Sequence, residues 1–149
     1  MSVSASRHTA YTKVDVETAS QGKLIVMLFN GAIKRSEEAR RQLERQHVDG
    51  VHNNLIRAQD ILAELRGALN MKAGDIAANL DRIYEYLQHL LVAANIKKDV
   101  ALIEESLQLM TEMRDAWQEL FDNLAREGQH VTPPSQDNQH GASMLNIRG

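Results

Sequence analysis

Thr18-Ala19-Ser20-Gln21-Gly22-Lys23-Leu24-Ile25-Val26-Met27-Leu28-Phe29-Asn30-Gly31-Ala32 is the stretch whose reading decides the fold. The run from Leu24 to Phe29 is apolar without interruption, too dense for a helix that faces solvent. Ser20 stands just ahead of it, where a hydroxyl accepts from the unpaired amides of a helix start; such an N-cap contributes about 1 kcal/mol. Gly31 and Ala32 are small enough to let a neighbouring helix approach closely. The stretch is expected to join a flexible arm, residues 1–19, to a helical domain, residues 20–128.

Upstream, Met1 to Val16 is mostly polar and is expected to be mobile on its own. Tyr11, Val14 and Val16 are apolar residues within it. They are either scattered apolar residues without consequence, or a contact in which Tyr11 docks reversibly on the body, its ring apolar and its tip polar.

Downstream, apolar residues recur at alternating three- and four-residue steps, the seam of a packed bundle helix. Ile25, Leu28, Ala32, Ser36, Ala39 and Leu43 predict a helix over about 21–46. Val51, Leu55, Ala58, Leu62, Leu65 and Leu69 predict a second over about 50–69, with Asp49 as its cap and Gly67 loosening its last turn. Ile76, Leu80, Ile83, Leu87, Leu90 and Ala94 predict a third over about 75–95, with Ala77, Tyr84 and Leu91 as an adjacent row. The fourth, about 100–127, is capped by Asp99 and carries two rows. One contains Ile103, Leu107, Met110, Trp117, Phe121 and Leu124; the other contains Leu102, Leu109, Met113, Ala116 and Leu120. A single stripe suffices for a bundle, so the second row points either to a central position or to a partner helix, which Met accommodates well. Residues 129–149 include Pro133-Pro134 and are expected to form a disordered tail. No stretch alternates with period two. The expectation is therefore all-α: an antiparallel up-and-down four-helix bundle with a flexible N-terminal arm and C-terminal tail.

Composition narrows the function. The 149 residues suffice for one domain with a substantial core. Aromatic residues make up only 4%, so the core must be largely aliphatic, and two Pro with eight Gly leave room for long helices. A formal charge of −3 supplies no attraction to nucleic acid or to anionic lipid. The absence of cysteine excludes disulfides, thiolate metal sites and cysteine nucleophiles. No secretory signal and no apolar run near the ~20 residues of a membrane span is found, so the expected location is the cytosol, without membrane insertion.

Helical bundles also hold paired metals through carboxylates and Glu-x-x-His pairs. Glu44-x-x-His47 and Glu127-x-x-His130 match that spacing, but both fall at predicted helix ends in polar surroundings. His8, His52, His89 and His140 are dispersed. Asp60 and Glu64 lie one turn apart, and Glu64 beside Arg57 or Arg66 reads as a solvated face. There is no phosphate loop, nucleophile elbow or dinucleotide fingerprint. No catalytic residue, metal or cofactor is expected, and a binding module is the better class than an enzyme.

An ordered set of residues adds a family likeness. It begins with Tyr11, Thr18-Ala19-Ser20, Leu24, Met27-Leu28 and Gly31-Ala32-Ile33. It continues through Ala58-Gln59-Asp60-Ile61, Leu65, Ile76-Ala77, Asn79-Leu80, Tyr84, Tyr86 and Leu91. It closes with Ala94-Asn95, Lys98-Asp99, Leu109, Arg114 and Trp117. Over roughly residues 11–120 the chain resembles the FliS family of flagellar secretion chaperones. Gln21-Gly22-Lys23 replaces a usual Pro and acidic residues, Asn30 a usual Asp, and Phe29 a usual Tyr.

The resemblance implies a cytosolic export chaperone that binds the disordered C-terminal segment of flagellin. It further implies that the arm bearing Tyr11 covers an apolar groove until cargo displaces it, and that the complex is delivered to the flagellar type III export apparatus. Groove candidates are Leu24, Met27 and Leu28 on the first helix, Ala58, Ile61 and Leu65 on the second, and Tyr84 and Leu91 on the third. A helical adaptor for another cargo is the alternative, and both monomer and homodimer remain open.

Overall fold

The computed structural model describes the backbone of residues 3–129 and the side chains of residues 21–128. Four helices follow one another: α1 (Val3–Glu44), α2 (Val48–Gly67), α3 (Asp75–Lys97) and α4 (Val100–Gln129), with a 3-10 turn, Met71–Ala73, between α2 and α3. α1 starts well before Gln21 and runs through Ser20, so Ser20 is not its N-cap. No Pro or Gly lies between Val3 and Ser20 to interrupt it. The arm's side chains, Tyr11 among them, lie outside the described residues, as does the tail.

The register of each seam follows from residue pairs that run in opposite senses. A Cβ on Gly31 would sit 3.4 Å from Ile61 Cδ1, and one on Gly50 would sit 2.6 Å from Gln42 Oε1, so α1 and α2 are antiparallel. Arg66 bonds Asp81, Gln88 reaches the Gln59 carbonyl, and Asn95 meets His52, so α2 and α3 are antiparallel. Gly22 lies on Phe121 and Asn30 on Arg114, so α4 returns antiparallel beside α1. Each helix packs against its two neighbours in the ring α1–α2–α3–α4, and the two seams of α1 are the most extensive. This is the expected four-helix bundle.

Helix ends have local causes. Gln46 adopts φ 60°, and the bonds Gln46 N–H to Leu43 O and His47 N–H to Gln42 O close a Schellman-type stop after α1. α2 then begins at Val48 after His47, without a side-chain cap, so Asp49 is not the cap expected for it. Lys98 is also left-handed, at φ 50°, a conformation unfavourable for a residue with a Cβ. Its Nζ offsets this by donating to Asn95 O at 2.6 Å and Asn95 Oδ1 at 2.7 Å. Asp99 does cap α4, its Oδ1 accepting from Ala101 N–H at 2.9 Å.

The core is aliphatic around a small aromatic cluster. Val51, Leu55, Leu62, Leu87, Leu91, Ile103 and Met110 are fully buried. Phe29 meets Tyr84 edge-on at 5.8 Å, and Trp117 stacks on Phe121 at 5.6 Å. Trp117 Nε1–H donates to the buried Tyr84 hydroxyl at 3.0 Å, giving both polar groups a partner. Burial pushes the Tyr84 phenol up to about 12, against a smaller opposing effect of the Trp117 bond. Ser36 and Ser106 are buried with their hydroxyls bonded to the carbonyls of Ala32 and Leu102.

The second apolar row of α4 finds its place here. Leu102, Leu109, Met113 and Leu120 pack against the core half-buried, because α4 touches both α1 and α3. Ala116 is exposed.

Two predictions follow from this packing. A Cβ at Gly22 would lie 2.8 Å from Phe121 Cγ and Cδ1. Gly22→Ala should therefore move the Phe121 ring and lower stability by about 1–3 kcal/mol in urea titrations. Tyr84→Phe strands the Trp117 N–H and should cost about 1–3 kcal/mol. Because the folded-state pKa of Tyr84 is raised, its contribution is intact below the ordinary tyrosine value of 10.0 and declines as pH rises towards about 12. Unfolding midpoints of the wild type should fall over that interval more steeply than those of Tyr84→Phe.

Candidate protein-binding surface

The candidate residues separate into two environments. Ala58, Leu65, Tyr84 and Leu91 are buried inside the bundle, where they make its core. Leu24 and Met27 stand out from α1, with 52% and 66% of their surface exposed. Leu28 and Ile61 are half-buried against the core. The Tyr11 side chain lies outside the described residues.

Leu24, Met27, Leu28 and Ile61 come together on one surface. Leu24, Leu28 and Gly31 occupy successive turns of the α1 stripe that faces α2, and Met27 sits one turn below Gly31 beside them. Gly31 in turn approaches Ile61 on α2. The exposed Leu24 and Met27 beside the half-buried Leu28 and Ile61 make an apolar patch at the α1–α2 seam.

A second apolar strip was not among the sequence candidates. Val92 and Ile96 are one turn apart on α3 and exposed, Ile96 at 78%. Ile56 is exposed one turn from His52, the residue that bonds Asn95 on α3. The strip therefore lies on the α2–α3 face. Its signal in the sequence was weak: Val92 and Ile96 belong to neither apolar row of their helix. The large exposed apolar side chains lie on α1, α2, α3 and the turns; on α4 only its first residue, Val100, joins them among the described residues.

Below that strip the two helices are clamped by polar groups. Arg66 donates to both Asp81 oxygens, at 2.9 and 3.2 Å, and to Gln88 Oε1 at 2.8 Å. The Arg66 hydrogen bond holds the Asp81 carboxyl below the usual carboxylate range, and Asp81 raises Arg66 in return. Arg66 thus turns to α3 and not to Glu64. At the other end of the bundle His47 bonds Gln42 at 3.1 Å, just past the end of α1 at Glu44. Of the second Glu-x-x-His pair, His130 lies outside the described residues. Among the described residues no three His, Asp or Glu side chains gather as a metal site, and no helix is long and apolar enough to cross a membrane.

A family model described as "Flagellar protein FliS" matches residues 4–124. The chain belongs to the FliS family. It is similar to the flagellar secretion chaperone FliS of Bacillus subtilis (strain 168), with 35% identity over 80% of this chain and 90% of that protein. The flagellar secretion chaperone FliS of Salmonella typhimurium is 36% identical over 78% of this chain and 90% of its own length. That of Vibrio cholerae is 32% identical over 74% and 85%.

The departures from the FliS pattern have structural accounts. Gly22 makes room for the Phe121 ring. Asn30 keeps a bond from Arg114 Nη1, at 3.0 Å, without the charge of an Asp. Phe29 is fully buried against Tyr84 and presents no hydroxyl that would need a partner.

The division between surface patch and core is measurable in urea. Met27→Asp should change stability by no more than about 0.5 kcal/mol, as expected for an exposed site. Leu65→Ala, which opens a cavity at a residue only 2% exposed, should cost about 2–5 kcal/mol.

Proposed function

We propose that this protein is a cytosolic export chaperone that holds the disordered C-terminal segment of flagellin on its apolar helical surface. That segment polymerises in the filament, so covering its apolar side chains prevents premature assembly and keeps it deliverable to the flagellar type III export apparatus. Membership of the FliS family supports an export-chaperone role. The observation that carries the reading is the apolar patch at the α1–α2 seam, where Leu24 and Met27 stay exposed. Together with Ile56, Val92 and Ile96 on the other flank of α2, it offers an incoming segment two apolar tracks.

The action is binding and not bond-making. A segment that orders on binding loses several kcal/mol to its own folding, so it must cover much surface to reach useful affinity. Apolar patches on two flanks of one helix provide such an extended surface. Leu24, Met27, Leu28 and Ile61 are the residues proposed to touch cargo directly. Ala58, Leu65, Tyr84 and Leu91 act from beneath by holding α2 and α3 in place. Tyr11 is proposed as a reversible cover on the patch.

Co-expression pull-down tests the cargo. Full-length flagellin should be retained, and flagellin lacking its last ~50 residues (one or two helices of length at 1.5 Å per residue) should be lost. Equal retention of both forms would move the cargo site elsewhere. Calorimetry tests the cover: Tyr11→Ala, or removal of residues 1–17, should change the affinity for the flagellin segment. Unchanged affinity in both variants would remove the cover while leaving the chaperone role standing.

A further inference from the structure

We propose that Asn95 and His52 form a latch that positions the apolar strip of the α2–α3 face for cargo, with the imidazole of His52 held bare at Nδ1. The assignment rests on the cargo reading above and adds to it the residues that shape one of its two tracks.

Three polar contacts cross the α2–α3 seam at even intervals. On α2 they fall at His52, Gln59 and Arg66, and on α3 at Asn95, Gln88 and Asp81. Each step is about two helical turns, in opposite senses on the two helices. Ile56 lies between the first two contacts on α2 and Val92 between the same two on α3, so they face each other across the seam. The strip is thus bracketed. On one side stands the Arg66 clamp, with its bonds to Asp81 and Gln88. On the other, Asn95 meets His52 at 2.9 Å, the last polar contact across this seam among the described residues.

Ile96 depends on that contact most. It follows Asn95 directly and is 78% exposed, so packing gives it little orientation. The polar tie between the last turn of α3 and α2 is the neighbouring carboxamide, itself only 7% exposed.

Lys98 decides which way the latch is wired. Its ammonium can only donate. Nζ lies 2.6 Å from Asn95 O and 2.7 Å from Asn95 Oδ1, so Oδ1 is the accepting end of the amide. Asn95 Nδ2 is therefore the atom that meets His52, and an amide nitrogen can only donate. His52 Nδ1 must accept, which leaves the ring proton on Nε2. Lys98 reaches this position from a left-handed backbone, φ 50°, just past the end of α3. Two helices and the turn between α3 and α4 are joined through one buried side chain.

The test uses the full chain. At about pH 8, where free imidazole is neutral, long-range proton–nitrogen correlation should show His52 protonated at Nε2 and bare at Nδ1. A protonated Nδ1 would overturn the proposal. Calorimetry then reads the affinity for a peptide of the last ~50 residues of flagellin. His52 is exposed, so its substitutions open no cavity. His52→Ala should bind about three- to tenfold more weakly, the size of one lost hydrogen bond. His52→Asn, whose Oδ1 can accept where Nδ1 did, should stay within about twofold of wild type. In the His52→Ala background, Ile96→Ala should weaken binding less than it does in the wild type, because the latch acts through that side chain. Fully additive losses, or wild-type affinity in His52→Ala, would overturn the latch and leave the cargo reading standing. Failure of the wild type to bind the peptide would overturn the cargo reading and the latch's role with it.

Discussion

The fold depends on a short chain of aromatic contacts that closes on itself. Phe29 on α1 meets Tyr84 on α3, Tyr84 accepts from Trp117 on α4, Trp117 stacks on Phe121, and Phe121 covers Gly22 back on α1. Three helices are tied in one circuit by four of the six aromatic residues the chain possesses. The single hydrogen bond inside it gives the circuit direction: a buried indole N–H without an acceptor would be costly, so Tyr84 and Trp117 must stay in register. Aliphatic packing tolerates sliding between ridges, and this bond does not.

α2 stands outside that circuit. It is held by aliphatic contacts with α1 and, on the other side, by the Arg66–Asp81–Gln88 clamp to α3. Its two flanks are also where the apolar surplus appears, Leu24 and Met27 on one side and Ile56, Val92 and Ile96 on the other.

The charge arrangement follows the same economy. The long ion-pair network lies between α2 and α3, where it fixes register, whereas Arg35 and Arg57 on the α1–α2 seam are left uncommitted. Structural charges are paired in the first seam and available in the second.

The sequence by itself determined the all-α class and the extents of α2, α3 and α4. Periodicity over 50–69, 75–95 and 100–127 lies close to the observed α2, α3 and α4, because an apolar seam at 3.6-residue spacing has one way to be buried. The small pair Gly31-Ala32 was legible as a close approach, and Asp99 as a cap, since both are local requirements. Family membership was equally legible, as an ordered set of residues needs no coordinates. What only the tertiary structure decided was which apolar residues face outward. Leu65 and Met27 both stood in the sequence as groove candidates, yet one is core and the other surface. That distinction depends on helix rotation and on which neighbour covers each face. The start of α1 also escaped, because a polar leader without Pro or Gly is equally compatible with coil and helix.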